Sequence, residues 1–168
     1  MDAREGSEPT PVKNRTTVER TSEREFTVTR TFDAPARLVF EAWTKPELFQ
    51  RWWVPKSMGM SLLSFEADVR TGGTYRLEFA PGVAFFGKYL EVTPHSRLVW
   101  TNEESAQGAV TTVTFEEKAG KTLLVLHELY PSKEALEAGA GAEEGMPEQF
   151  EQLDELLATL GASGAPKN

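Results

Sequence analysis

The sequence predicts one α+β domain in which an antiparallel sheet is covered on one face by helices. Residues 60–130 are a succession of short β-forming runs separated by tight-turn signals, which is the pattern of a meander. Residues 147–160 then set Phe150, Leu153, Leu156, Leu157 and Leu160 on one helical face, with Glu151, Asp154 and Glu155 opposite. The chain has 168 residues, 39% of them hydrophobic and none of them cysteine, so it can bury one sizeable core and has no disulfides to rely on. A one-sided sheet and a one-sided helix must cover each other.

The elements follow in order. Residues 1–23 mix Pro9 and Pro11 with Ser, Thr and alternating charges and show no apolar period, so they are expected to be a disordered tail. The folded domain is expected over residues 24–160. Phe26, Val28, Arg30 and Phe32 alternate with Thr27, Thr29 and Thr31 to give a first strand. Asp33 is expected to cap a helix whose first turn holds Pro35, with Ala36, Val39, Phe40 and Trp43 at i, i+3, i+4 and i+7. Thr44 and Glu47 have capping-box spacing around Pro46, which predicts a second short helix carrying Leu48, Phe49 and Trp52 and closed by Pro55.

In the meander, Gly72-Gly73 signals a two-residue type I′ hairpin, since glycine supplies positive φ at both central positions without steric cost. Beyond it Tyr75, Leu77 and Phe79 share one face while Thr74, Arg76 and Glu78 share the other. Pro81-Gly82 leads into a strand over 83–92, residues 94–96 turn into 97–101, and strands over 110–117 and 121–130 flank Ala119-Gly120. The glycine- and alanine-rich stretch 137–145 is expected to be a loop able to act as a gate, Pro147 to sit in the first turn of the last helix, and residues 161–168 to be a frayed tail. The expected order is strand, two helices, six strands and one long helix.

Composition excludes several functions. Without cysteine there is no thiolate nucleophile or cysteine-bound zinc, and with His95 and His127 as the only histidines there is no histidine-rich metal centre, so neither metal nor cofactor is expected. Residues 128–155 hold nine acids and one base, while the remainder holds seventeen of each, so this segment carries the whole net charge of -8. Its acids read as a solvated helix face. No cluster of Lys and Arg with interleaved aromatics appears, which argues against a nucleic-acid partner. The N-terminus lacks the apolar run of a secretory signal and no segment approaches the ~20 apolar residues of a membrane span, so a soluble cytoplasmic protein is expected.

A set of short motifs runs through the domain in fixed order: Phe32-Asp-Ala-Pro35, Val39-Phe40-Glu-Ala-Trp43, Pro46 with Leu48 and Trp52-Trp53, and Asp68-Val-Arg70-Thr-Gly72-Gly73. It continues with Gly87-Lys-Tyr-Leu-Glu91-Val-Thr-Pro94, Arg97-Leu-Val-Trp100-Thr101, Val113-Thr-Phe115 and His127-Glu128. In these residues the chain resembles the activator of heat-shock-protein ATPase homologues (AHSA-type), a branch of the START-like superfamily, also called SRPBCC or Bet v 1-like. The resemblance implies a helix-grip fold, in which a curved seven-stranded antiparallel sheet wraps the C-terminal helix and leaves a cavity between them. It implies three functions: binding of a hydrophobic small molecule such as a lipid or polyketide, partnership with a chaperone in stress response, or an enzyme of the cyclase or hydrolase kind. The activator has a separate N-terminal domain for which the first 23 residues are too few and too polar, so chaperone stimulation by this chain alone is not expected.

The residues expected at a hydrophobic site are Trp52, Trp53, Tyr75, Phe79, Phe86, Tyr89, Trp100, His127 and Phe150, each read either as cavity wall or as core. Adjacent tryptophans on one short helix cannot both enter the same core, so one of Trp52 and Trp53 should stand at a pocket mouth. Alternation puts His127 on a face with Leu123, Val125 and Leu129, as a hydrogen-bonded cavity or core histidine, and turns Glu128 to the opposite face, so the two make no catalytic dyad. His95 lies in an exposed turn, Arg70 with Asp68 reads as a structural ion pair, and Glu91 has the same standing. No residue is assigned a catalytic role, and the favoured function is non-catalytic binding of a hydrophobic molecule between the sheet and the C-terminal helix.

Overall fold

A computed structural model of the protein describes residues 16–59, 62–80, 83–103, 108–138 and 141–164. Strands β1 (Thr17–Ser22) and β2 (Glu25–Phe32) form a hairpin, followed by helices α1 (Ala36–Thr44) and α2 (Pro46–Phe49) and a 3-10 turn at Lys56–Met58. Then come β3 (Ser64–Ala67), β4 (Thr74–Ala80), β5 (Val83–Thr93), β6 (Arg97–Thr101), β7 (Val110–Lys118) and β8 (Lys121–Leu129), with α3 (Lys133–Ala138) and α4 (Gly141–Gly164) at the end. The eight strands make one antiparallel sheet in the order β1-β2-β8-β7-β6-β5-β4-β3, so β2 closes on β8 and the sheet's edges are β1 and β3.

Period-2 alternation fixes the inner face of this sheet. Phe26, Val28, Arg30 and Phe32 of β2 lie opposite Glu128, Leu126, Leu124 and Thr122 of β8, and Thr111, Val113 and Phe115 of β7 continue the same rows. Helix α4 packs on β2 and α1 and drives Phe150, Leu153, Leu156 and Leu157 into this half of the sheet, all of them buried. In β5 one extra residue, Leu90, stands without a β6 partner between the cross-strand pairs Tyr89–Trp100 and Glu91–Val99. The bulge bends the sheet and turns Leu90 outward, where it is exposed.

Several local expectations are corrected. The sheet has eight strands rather than seven, because Thr17–Ser22 pair with β2 where a disordered tail is expected. This strand is almost wholly exposed, so it leaves no apolar signal and is held by backbone pairing and by a bond from Arg30 to Thr16. Residues 1–15 of that expected tail lie outside the described residues. Asp33 does not cap α1. The free N–H of Ala36 is met by Glu117 from the end of β7 at 2.9 Å, while Asp33 pairs with Lys121. Thr44 forms no capping box; its hydroxyl donates back to the Phe40 carbonyl, and Lys45 is the N-cap of α2.

The Gly72-Gly73 connection spans residues 68–73 instead of two, and only Gly72 has positive φ, at +89°. Gly73 is required for another reason: a Cβ there would stand 2.0 Å from the Asp68 carbonyl oxygen. Near the C-terminus, α3 and the start of α4 occupy much of the expected glycine-rich loop, and residues 139 and 140 lie outside the described residues. Pro147 falls inside α4, which continues through Gly164 into the expected tail. Residues 165–168 lie outside the described residues.

Candidate functional site

Helix α1 packs on β7 and β8 and α2 on β3, and an aromatic pocket lies where they and the turn after them meet strands β3–β6. Trp43 of α1, Phe49 of α2 and Trp53 of the turn form one wall, while Phe65 of β3, Tyr75 and Leu77 of β4, Phe85 and Tyr89 of β5 and Trp100 of β6 form the other. Asn102, just beyond β6, is the one lining residue outside the aromatic and aliphatic set. The rings interlock: Phe49 stacks on Phe65 at 4.4 Å and on Trp53 at 4.8 Å, and Trp43 meets Trp53 edge-on at 6.1 Å. The free volume is about 40 Å3, room for about three waters. Phe85 is partly exposed and marks the pocket's opening.

The polar end is a chain of hydrogen bonds along the inner face of the sheet. Asn102 donates its amide to the Ala109 carbonyl at 2.6 Å and to the Thr111 hydroxyl at 3.0 Å, and Thr111 donates onward to Glu128 at 2.8 Å. Tyr75 donates to the Thr101 carbonyl at 2.6 Å and stands 3.2 Å from Asn102 Oδ1. Burial raises the pKa of the Tyr89 phenol, so that group keeps its proton through the neutral range.

Helix α4 does not line this pocket; it holds the wall in place. Gln149 donates to the Trp53 carbonyl, Gln152 donates to the carbonyls of Trp52 and Val54 and accepts from Lys56 N–H, and Glu148 accepts from the backbone and hydroxyl of Ser57. The Ser57 hydroxyl, and then its N–H, hold the Glu148 carboxyl below its ordinary pKa. A row of polar side chains on one face of α4 thus grips the turn that carries Trp53. The site is expected between the sheet and the C-terminal helix; the aromatic pocket described here is lined by α1, α2, the turn after them and β3–β6. Phe150 and Leu153 of α4 are fully buried.

Of the residues expected at the site, Trp53, Tyr75, Tyr89 and Trp100 are brought together in the pocket wall. Trp52 is fully buried, with its indole N–H on the Ala42 carbonyl at 2.9 Å, so the tryptophan pair divides into one core and one pocket residue. Phe150 is core between Phe32, Trp43 and Trp52. Phe86 lies opposite Arg76 on the outer face of the sheet and is 39% exposed. The backbone of Phe79 lies in β4, and its side chain falls outside what is described.

His127 is corrected in orientation. It points to the outer face, where its Nε2 meets Glu25 at 3.0 Å, and its neighbour Glu128 turns inward. The reason is that β8 is a central strand with apolar residues on both faces, Leu123 and Val125 outside and Leu124 and Leu126 inside, so alternation alone does not tell inside from outside. Arg70 and Asp68 form the expected surface pair at 2.8 Å, and Glu91 pairs on the surface with Arg97. Hydrogen bonds from Thr93, and secondarily from Arg97, lower the Glu91 pKa. Asn102, Thr111 and Glu128 were not anticipated; the Asn102–Thr111 bond closes a loop, and only Glu128's parity was there to be read.

A sequence model of the family described as Activator of Hsp90 ATPase homolog 1-like protein matches residues 33–158. The chain belongs to this family. Its members share the START-like, SRPBCC architecture, and this AHSA1-like domain has the helix-grip arrangement of one curved antiparallel sheet against a C-terminal helix. A protein from Rhodobacter sphaeroides is similar over 88% of this chain and 100% of its own, with a TM-score of 0.79 at 22% identity. One from Nitrosomonas europaea is similar over 84% and 98%, with a TM-score of 0.74 at 25% identity. A Staphylococcus epidermidis protein, 29% identical, is similar over 85% and 94% with a TM-score of 0.66. None of the curated proteins matches the chain. The family description associates it with a chaperone, and among the described residues no helix is long and apolar enough to cross a membrane.

Proposed function

We propose that this AHSA1-like domain binds a small hydrophobic molecule in the aromatic pocket beneath α1 and α2. The observation that carries the reading is the wall itself: nine aromatic or aliphatic side chains from two helices, one turn and four strands converge on one space, with Asn102 as a polar marker. At about 40 Å3, that space is smaller than the roughly 150 Å3 that takes up benzene. Ligand entry therefore requires the exposed Phe85 ring to swing out. The function is binding and orientation rather than proton transfer. The pair His127–Glu25 stands on the far face of the sheet, and Tyr89 holds its proton.

The test is a thermal-shift screen of the whole chain against single-ring aromatics, fatty acids, flavonoids, sterols and aromatic polyketides. A ligand at 100 times its dissociation constant stabilises by about 2.7 kcal/mol, which moves the midpoint of a domain this size by about 5–10 °C. Trp53→Ala should reduce that shift. The absence of any shift across the panel would overturn the reading and turn the search to protein partners.

A further inference from the structure

Resting on the pocket reading above, we infer that the pocket selects aromatic molecules bearing a hydroxyl, which accepts a hydrogen bond from the Trp43 indole and donates one to Asn102 Oδ1. Trp43 lines the pocket and is 2% exposed, and its indole Nε1 is buried with no hydrogen-bond partner among the described residues. The contrast with Trp52 is direct, since the indole N–H of that neighbour is satisfied by the Ala42 carbonyl. A buried donor left without a partner is costly, and a ligand oxygen that accepts from it removes the cost.

The acceptor is set by the polar chain. The Thr111 hydroxyl has one hydrogen, given to Glu128, so its oxygen must accept from Asn102, and this fixes the amide with Nδ2 toward Thr111 and Ala109. Asn102 Oδ1 therefore faces the Tyr75 side. Tyr75 also has one hydrogen, and its shorter contact is to the Thr101 carbonyl, 2.6 Å against 3.2 Å. Oδ1 thus keeps the capacity to accept a hydrogen bond from a ligand. A phenolic hydroxyl answers both groups at once, accepting from Trp43 and donating to Asn102. A hydrocarbon of the same shape answers neither.

The experiment compares p-cresol with toluene, which differ by that hydroxyl alone, by titrating the 15N-labelled full chain and following its four tryptophan indole signals. A purely apolar pocket prefers toluene, because a buried hydroxyl without partners is penalised. The equipped pocket prefers p-cresol by about tenfold, since making both bonds outweighs stripping water from the hydroxyl. The Trp43 indole signal should move downfield with p-cresol and not with toluene, and Asn102→Ala should abolish the preference. Trp43→Phe assigns the signal directly; if that variant does not fold, Trp52→Phe, Trp53→Phe and Trp100→Phe assign it by elimination. Equal or tighter binding of toluene, or p-cresol binding with the Trp43 signal unmoved, would overturn the inference while leaving the apolar pocket intact. Binding of neither probe would remove the pocket reading and this inference together.

Discussion

Gln152 is the residue through which the C-terminal helix controls the pocket wall, and replacing it by methionine isolates that control. The side chain is buried, and its amide makes three bonds to one turn: Oε1 accepts from Lys56 N–H at 2.8 Å, and Nε2 donates to the carbonyls of Trp52 and Val54 at 3.0 Å each. Methionine keeps the length and unbranched shape, so cavity effects stay small. Each lost bond is worth about 1 kcal/mol net, which gives about 3 kcal/mol in all. The groups at Lys56 and Val54 lie nearer the surface, where water replaces part of the loss and lowers the figure to about 2 kcal/mol. At about 2–4 °C per kcal/mol the midpoint should fall by about 4–8 °C. Denaturant unfolding followed by tryptophan fluorescence measures the free energy, and the slope should be unchanged. Native-state exchange at Lys56 N–H should accelerate more than exchange in β7 and β8. A loss under about 0.5 kcal/mol, with Lys56 still protected, would refute the claim that α4 fastens this turn through Gln152.

Two further outcomes follow from the geometry. A Cβ on Gly87 in β5 would stand 2.1 Å from the Thr101 carbonyl oxygen on β6, so Gly87→Ala should force the strands apart beside Tyr89 and Trp100 and cost about 1–3 kcal/mol or more. Gly59→Ala, in open space at φ +70°, should cost only the backbone term of about 1 kcal/mol; equal losses in denaturant unfolding would show that the close approach at Gly87 does not govern the strand pair. The depressed pKa of Glu148 makes its bond to Ser57 pH-dependent. Because the folded value lies below the unfolded one, the stabilisation is complete above the ordinary glutamate value of about 4.3 and is lost as pH falls through the lower folded value. The stability gap between wild type and Glu148→Gln should therefore shrink as the pH is lowered through the acid range, and a gap that stays constant would exclude the linkage.

How much of this was legible depends on whether a feature is local. The Tyr75-Leu77 alternation in β4, the apolar face of α1 and the last helix's Phe150-Leu153-Leu157 row are periodic over a few residues, and each forms where the pattern puts it. The split between Trp52 and Trp53 follows from their adjacency alone, though not which of them faces the pocket. Caps are not legible in the local sequence because their partners come from elsewhere in the chain. Asp33 is well spaced to cap α1, yet the carboxylate that arrives is Glu117, 81 positions beyond Ala36. Strand β1 leaves no apolar pattern in the sequence because an exposed edge strand needs backbone partners and not apolar side chains.

The site shows the same division. Sequence by itself determined that aromatic side chains are concentrated on β4, β5, β6 and the α1–α2 pair, and that the long helix has one apolar face, because composition and period are properties of the chain. Only the tertiary structure decided which aromatics meet, because Trp43, Phe49 and Trp53 reach Tyr75, Tyr89 and Trp100 across long sequence separations, while Phe150 and Leu153 are buried in the core. It also decided that His127 faces out and Glu128 in. On a central strand with leucine or valine at both parities, the direction of burial is set by what packs on each face, and α1, which packs against β8, lies far away in sequence.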